Sequence, residues 1–160
     1  MIRLYTLLIS IAVSLSVPSI STACQVNARD LNQIPQQITP QKGEWLLIQA
    51  WTLDCAVCER QKPELSELNA SYNNFRVVNL SLDGLGNLGA IQSRVSQKQY
   101  TMRNYVAELD SFRSIMSECF GKTYLGTPTY ILYSPNSEVM AVRTGPFNLK
   151  ALPKQLNLIN

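Results

Sequence analysis

The 160-residue sequence contains no histidine. Its absence removes the ligand that a copper-carrying Cys-x-x-Cys protein would need. It also leaves any structural zinc site to be built from the four cysteines, Cys24, Cys55, Cys58 and Cys119. Cys24 and Cys119 have no partner at metal-ligand spacing, so no metal is expected. Charge is sparse as well: 14 Lys and Arg stand against 11 Asp and Glu, without a basic cluster. That balance argues against nucleic acid and against any strongly electrostatic partner. Gly84, Gly86 and Gly89 are too scattered for a phosphate loop, and no Lys-Ser/Thr follows them. Nothing in these patterns calls for a bound cofactor. Long apolar runs are missing too. Leu4 to Val17 is diluted by Thr and Ser and closed by Pro18, shorter than the ~18–20 residues of a spanning helix. With Arg3 before this run and Ser21-Thr22-Ala23 after it, residues 1–23 read as a cleaved export signal. Cys24 follows directly, so a lipid anchor at Cys24 is the alternative; Ser21 stands where lipoprotein signals usually have Leu. Export would place the mature chain outside the cytoplasm, in the periplasm or an equivalent oxidising space. There a cysteine pair either belongs to the oxidising machinery or is kept reduced against its surroundings.

What the sequence does contain is a pair of cysteines where a buried strand hands over to a helix. Trp45-Leu46-Leu47-Ile48-Gln49 is nearly unbroken apolar sequence, as in a strand covered on both faces. After the cysteines, Gln61, Leu65, Leu68 and Tyr72 recur at helical spacing. The first turn of a helix offers unpaired N–H groups and the positive end of the macrodipole, both of which favour a thiolate. Cys55 is then the attacking sulfur and Cys58 the one that resolves a mixed disulfide. Asp54 and Glu59 place carboxylates beside the two sulfurs and should oppose thiolate formation. Alternatively both point to water and are screened, with Arg60 and Lys62 offsetting them. Trp51 is either a contact surface flanking the disulfide, and so part of substrate binding, or a core aromatic.

These residues resemble the thioredoxin superfamily: Trp51 four before Cys55, the Cys-x-x-Cys, and Pro63 five after Cys58. They are most similar to its exported TlpA/ResA/CcmG-like branch. Leu125-Gly126-Thr127-Pro128-Thr129-Tyr130-Ile131-Leu132 is similar to the segment that carries that family's cis-proline, and the resemblance spans about residues 43 to 158. It implies an α/β thioredoxin-like fold: a central mixed β-sheet flanked by helices, with a helix–strand–helix insertion ahead of the cis-Pro strand. It implies a substrate-binding role for Thr127 and Pro128, the backbone before the proline pairing with an incoming peptide strand. It further implies thiol–disulfide chemistry on client proteins with disulfides or cysteine pairs, in most relatives reductive and often serving cytochrome c assembly. A membrane thiol–disulfide electron donor would recharge the pair. The chain departs from the branch at Asp54, where Trp is usual, and at Val57, where Pro is common. It also departs at Gln49, where a buried acid or Asn stands, and at Thr129, where CcmG proteins place Glu. Other readings stay open: a disulfide oxidase or isomerase, a binding module with a permanent disulfide, or a peroxidase. The last draws on Thr52-Leu53-Asp54-Cys55, but Ile48 stands where its proline belongs and Cys58 would be redundant.

Along the chain, residues 24–42 read as a polar lead-in with one short strand or turn around Ile34 and Ile38, and 43–160 as the domain. Phe75 to Leu82 is a second strand, with Val78, Leu80 and Leu82 on one face and Val77 on the other. The insertion carries a helix with Ile91, Val95 and Lys98 on one face, a short strand over Tyr100 to Leu109, and a helix over Ser111 to Phe120. Thr129–Tyr133 and Glu138–Thr144 form a hairpin about Ser134-Pro135-Asn136-Ser137. Leu149, Leu152, Leu156 and Ile159 align on a last helix that Pro153 either starts or kinks. The apolar neighbours Ile115, Met116 and Phe120 favour a buried or partly buried, non-catalytic thiol at Cys119 over a disulfide to Cys24.

Overall fold

The computed structural model describes residues 25–158. Strand β3 (Trp45–Trp51) is buried along its whole length apart from the half-covered Trp45. A strand apolar on both faces is stable only at the centre of a sheet with cover on each side. It lies between β4 (Phe75–Ser81), which runs parallel to it with Ile48 opposite Val78, and β6 (Thr129–Tyr133), antiparallel with Ile48 opposite Ile131. The seven-stranded order is β2-β1-β5-β4-β3-β6-β7. Helix α1 (Ala56–Ser71) links β3 to β4, while α2 (Leu88–Lys98), β5 (Arg103–Val106) and α3 (Leu109–Phe120) form the expected insertion. On one face, Leu46, Ile48, Val78, Leu80 and Leu82 pack with Phe112, Ile115 and Met116 of α3. On the other, Leu47, Phe75 and Val77 pack with Leu65 and Leu68 of α1 and with Leu149 and Leu152.

Three details differ from the sequence reading. The lead-in is a two-stranded hairpin, β1 (Val26–Asp30) and β2 (Pro35–Ile38), which extends the sheet through β1 against β5. Asp30 closes its turn by accepting the N–H groups of Asn32 and Ile34. Val26, Ala28 and Ile38 reach the α3-side core, whereas Ile34 sits exposed in the turn. In α2 only Ile91 is fully buried; Lys98 is exposed at the helix end, where its charge suits the C-terminal dipole. The last helix, α4 (Leu152–Gln155), is a single turn after a 3-10 turn at Leu149–Ala151, with Pro153 in its first turn where no N–H is needed. Ile159 lies outside the described residues. The hairpin of β6 and β7 (Val139–Thr144) turns at 134–137, with Ser134 N–H donating to Glu138 O and Ser137 N–H to Ser134 O.

Candidate active site

A third apolar cluster, at the C-terminal ends of the parallel strands, brings together Trp51, Cys55, Cys58, Ile91 and Val106. Cys55 and Cys58 form a disulfide. Cys55 is the N-cap of α1, and its sulfur accepts the Cys58 N–H at 3.1 Å, in the place a Ser or Asp oxygen usually takes. A negative charge on Cys55 Sγ therefore finds a backbone donor and the helix N-terminus already aimed at it. Cys55 keeps 8% of its surface exposed and Cys58 none. Of the two, only Cys55 keeps any surface open to solvent.

The loop from Trp51 to Cys55 is held at Leu53. Its N–H donates to both carboxylate oxygens of Asp83 at 3.2 and 3.0 Å, and Ser81 Oγ donates to the same carboxylate at 2.7 Å. The Leu53 carbonyl accepts from Arg94 of α2 at 3.3 Å. Thr52 Oγ1 and Thr127 Oγ1 share a hydrogen bond of 3.1 Å, which ties this loop to the one before β6. The Thr127–Pro128 peptide bond is cis. β3 and β6 pair at Ala50 and Thr129, so extending that register sets Pro128 beside Trp51 and Thr127 beside Thr52. Thr129 is buried, its hydroxyl donating to Gly126 O at 2.6 Å. Exposed Leu125 lies at the rim, two residues ahead of Thr127.

Trp51 is fully buried, so it is a core aromatic and not a surface for substrate. Its strand position, buried on both faces, leaves the ring no route to solvent. Asp54 is exposed to water, as one of the two sequence readings had it. Glu59 is not: it accepts from Lys62 Nζ at 2.7 Å and from the Tyr100 hydroxyl, with Arg94 Nη1 3.7 Å away. Burial alone would raise the Glu59 pKa, but the hydrogen bonds from Lys62 and Tyr100 and the charges of Lys62 and Arg94 outweigh it and hold the carboxyl below its usual range. Lys62 Nζ lies 3.3 Å from the centre of the Trp51 ring and 4.2 Å from that of Tyr100, with its side chain wholly covered. Burial pulls its pKa down to about 8 despite the hydrogen bond and charge of Glu59. The sequence reading had Lys62 merely offsetting Glu59 and did not single out Arg94, Tyr100 or Asp83. The signal for Lys62 was its helical phase: it follows Cys58 by four residues and precedes Leu65 by three, on the face that packs inward.

Gln49 is buried in β3, two residues before Trp51. Its amide donates to Tyr130 OH at 2.8 Å, Tyr130 donates to Gln61 Oε1 at 2.9 Å, and Gln61 Nε2 donates to Phe147 O at 2.9 Å. Burial pushes the Tyr130 pKa up to about 12, so this chain is neutral. Cys119, at the end of α3, is disulfide-bonded and only half buried. The partial burial against the α3-side core is as expected, but the free thiol is not: the sulfur is oxidised, because apolar neighbours at Ile115 and Met116 cover the helix face without enclosing the sulfur at its end. Cys24 lies outside the described residues. Among those residues no cluster of His, Cys, Asp or Glu is arranged to hold a metal ion, and no helix is long and apolar enough to cross a membrane.

No family model matches the sequence, and no curated protein sequence matches it. Solved structures do match. A secreted disulfide oxidoreductase of Mycobacterium tuberculosis, homologous to E. coli DsbE, superposes with a TM-score of 0.65 at 18% identity, over 87% of this chain and 99% of that one. The fold is thioredoxin-like. The thioredoxin domain of a Bacteroides vulgatus thiol–disulfide oxidoreductase gives a TM-score of 0.67 at 18% identity, over 83% and 94% of the two chains. StoA from Bacillus subtilis gives 0.60 at 17% identity, over 81% and 94%. In this thioredoxin-like frame the disulfide stands at the first turn of α1, and the cis-proline loop is tied to it through Thr52 and Thr127.

Proposed function

We propose that the chain is an exported thiol–disulfide oxidoreductase that reduces protein disulfides outside the cytoplasm. The observation that carries this reading is the asymmetry of the pair: Cys55 reachable and capped by the Cys58 N–H, Cys58 enclosed. In the reduced protein the Cys55 thiolate attacks one sulfur of a client disulfide. A Cys55–client bond forms, the client S–S bond breaks, and the departing client sulfur takes up a proton. Cys58 then loses its proton and attacks Cys55 Sγ. The Cys55–Cys58 bond forms, the client leaves as its second thiol, and two electrons have passed to the client. The backbone at Thr127, ahead of the cis-proline, is the edge along which an extended client segment would align. A thiol–disulfide donor at the membrane would return the pair to its dithiol form. The secreted Mycobacterium tuberculosis protein and the signal-like residues 1–23 support the export part of the reading.

The test is a Cys58→Ser variant expressed in a host that exports it. It should accumulate mixed disulfides through Cys55 with client proteins, identifiable by mass spectrometry, while Cys55→Ser should not. The purified reduced protein should also reduce insulin in the presence of dithiothreitol faster than dithiothreitol alone. A pair that stays oxidised at physiological potentials, with no client trapped, would point instead to a binding module with a permanent disulfide.

A further inference from the structure

The mechanism above makes no use of Lys62, yet alone among the lysines of the described residues its side chain is fully buried. It follows Cys58 by four residues on α1. Residues so spaced share one helix face with Cβ atoms about 5–6 Å apart. Cys58 and Lys62 are both sealed from solvent and both abut Trp51, the first through the apolar cluster at the strand ends, the second with its ammonium over the indole ring. Glu59, the residue after Cys58, is that ammonium's one ion-pair partner among the described residues.

We propose that Lys62 is the buried counter-charge of the Cys55–Cys58 centre, a positioning residue that offsets the Glu59 carboxylate and so keeps the thiolate form accessible. The inference rests on the oxidoreductase reading. The charged and titratable groups around Lys62 come from four places: Glu59 on α1, Arg94 on α2, Tyr100 after α2, and Asp83 at the end of β4. Glu59 directly follows Cys58, and its backbone N–H donates to Cys55 O at 3.2 Å, so an uncompensated carboxylate on this residue would oppose negative charge on the pair. Arg94 stands a full ångström farther from that carboxylate than Lys62 does, 3.7 against 2.7 Å, and is partly exposed. Water cannot screen the inner side, because Trp51, Cys58 and the lysine are all covered. No electron or proton needs to pass to Lys62; its charge acts through space, in a low-dielectric setting where such terms are largest.

The test compares the full chain with Lys62→Met, which keeps the length of the side chain and removes its charge, and with the neutral double variant Glu59→Gln/Lys62→Met. Near-ultraviolet circular dichroism of the oxidised proteins checks that each is folded. For Lys62→Met, the pH profile of Cys55 alkylation should move up by about one unit, leaving roughly tenfold less thiolate at a given lower pH. Equilibration with glutathione should shift about tenfold toward the protein disulfide, equivalent to about 30 mV more reducing. The double variant should return both readings to within about threefold of the parent. Should Lys62→Met alone not fold, the double variant set against Glu59→Gln reads the same charge, with the same direction expected. Unchanged alkylation and glutathione equilibria, or a double variant displaced as far as the single one, would overturn the proposal. Both measurements are made on the cysteine pair without a client, so they stand or fall separately from the reductase reading.

Discussion

Burying a lysine amine leaves a signature in the alkaline stability of the oxidised protein. The Lys62 pKa is about 8 in the folded chain against 10.5 for the ordinary side chain. Between those values the unfolded chain holds a proton that the folded chain has released, so unfolding free energy rises with pH. That gap corresponds to about 3 kcal/mol, absent below pH 8 and complete above pH 10.5. An opposing effect begins near pH 10. Burial raises the Tyr130 and Tyr133 pKa values to about 12, and burial together with Glu59 raises that of Tyr100 still further. Phenols with raised pKa values hold protons that the unfolded chain loses, so stability falls again as pH climbs past their ordinary value of 10. The window that reports on Lys62 alone is therefore pH 8 to 10. Over it the oxidised protein should gain about 2 kcal/mol, and Lys62→Met should gain none. Urea unfolding followed by circular dichroism at half-unit steps from pH 7 to 10 measures both profiles, with the disulfide intact so that no thiol titrates. Parallel profiles for the two proteins would mean that the amine is not desolvated as the packing on Trp51 and Tyr100 requires, and the argument for its electrostatic role would go with it.

Three other outcomes follow from the same geometry. Tyr130→Phe strips the Gln49 amide and Gln61 Oε1 of their shared partner in a buried setting, and should cost about 2 kcal/mol in urea unfolding while the Cys55–Cys58 pair still forms. Asp83→Ala frees the Leu53 N–H and should cost about 1–2 kcal/mol. It should also slow insulin reduction, because the loop ahead of Cys55 loses its anchor; an unaltered rate would show that Arg94 and Thr127 suffice to hold it. Asp54→Asn should raise the redox potential, but by no more than ~10 mV at physiological salt, since the carboxylate is exposed and screened; a shift several times larger would show that it couples directly to the sulfurs.

The core strands were legible because their burial repeats in the sequence. Trp45 to Trp51 is apolar throughout, Val78, Leu80 and Leu82 alternate, and both patterns appear in the sheet where they were expected. Cys55 and Cys58 were legible because a strand–Cys-x-x-Cys–helix sequence leaves little choice of geometry. The hairpin of β1 and β2 was not: its strands are five and four residues long, mostly polar, and become strands only because β5 offers β1 an edge. Lys62 was hidden by its charge, which on a helix ordinarily marks the solvent side. Nor could helical spacing within α1 announce that Arg94 and Tyr100, more than thirty residues later, close over the same carboxylate. A partner for Cys119 could not be assigned from apolar neighbours, because they describe the helix face and not its end.

The chain of hydrogen bonds from Phe147 through Gln61 and Tyr130 to Gln49 has a polarity decided at one end. Phe147 contributes a carbonyl, which can only accept, so the Gln61 amide group must turn its nitrogen toward it. That rotation presents Gln61 Oε1 to Tyr130, which obliges the phenol to spend its single proton there and to accept from Gln49 Nε2. The sequence ends at Gln49 Oε1, an acceptor with no hydrogen-bond partner among the described residues. Every dipole in the row is therefore oriented from one backbone atom, the Phe147 carbonyl oxygen. None can reverse without breaking the contact behind it. With two amides and a phenol as its only members, the row works as a fixed electrostatic backdrop and cannot serve as a wire for protons.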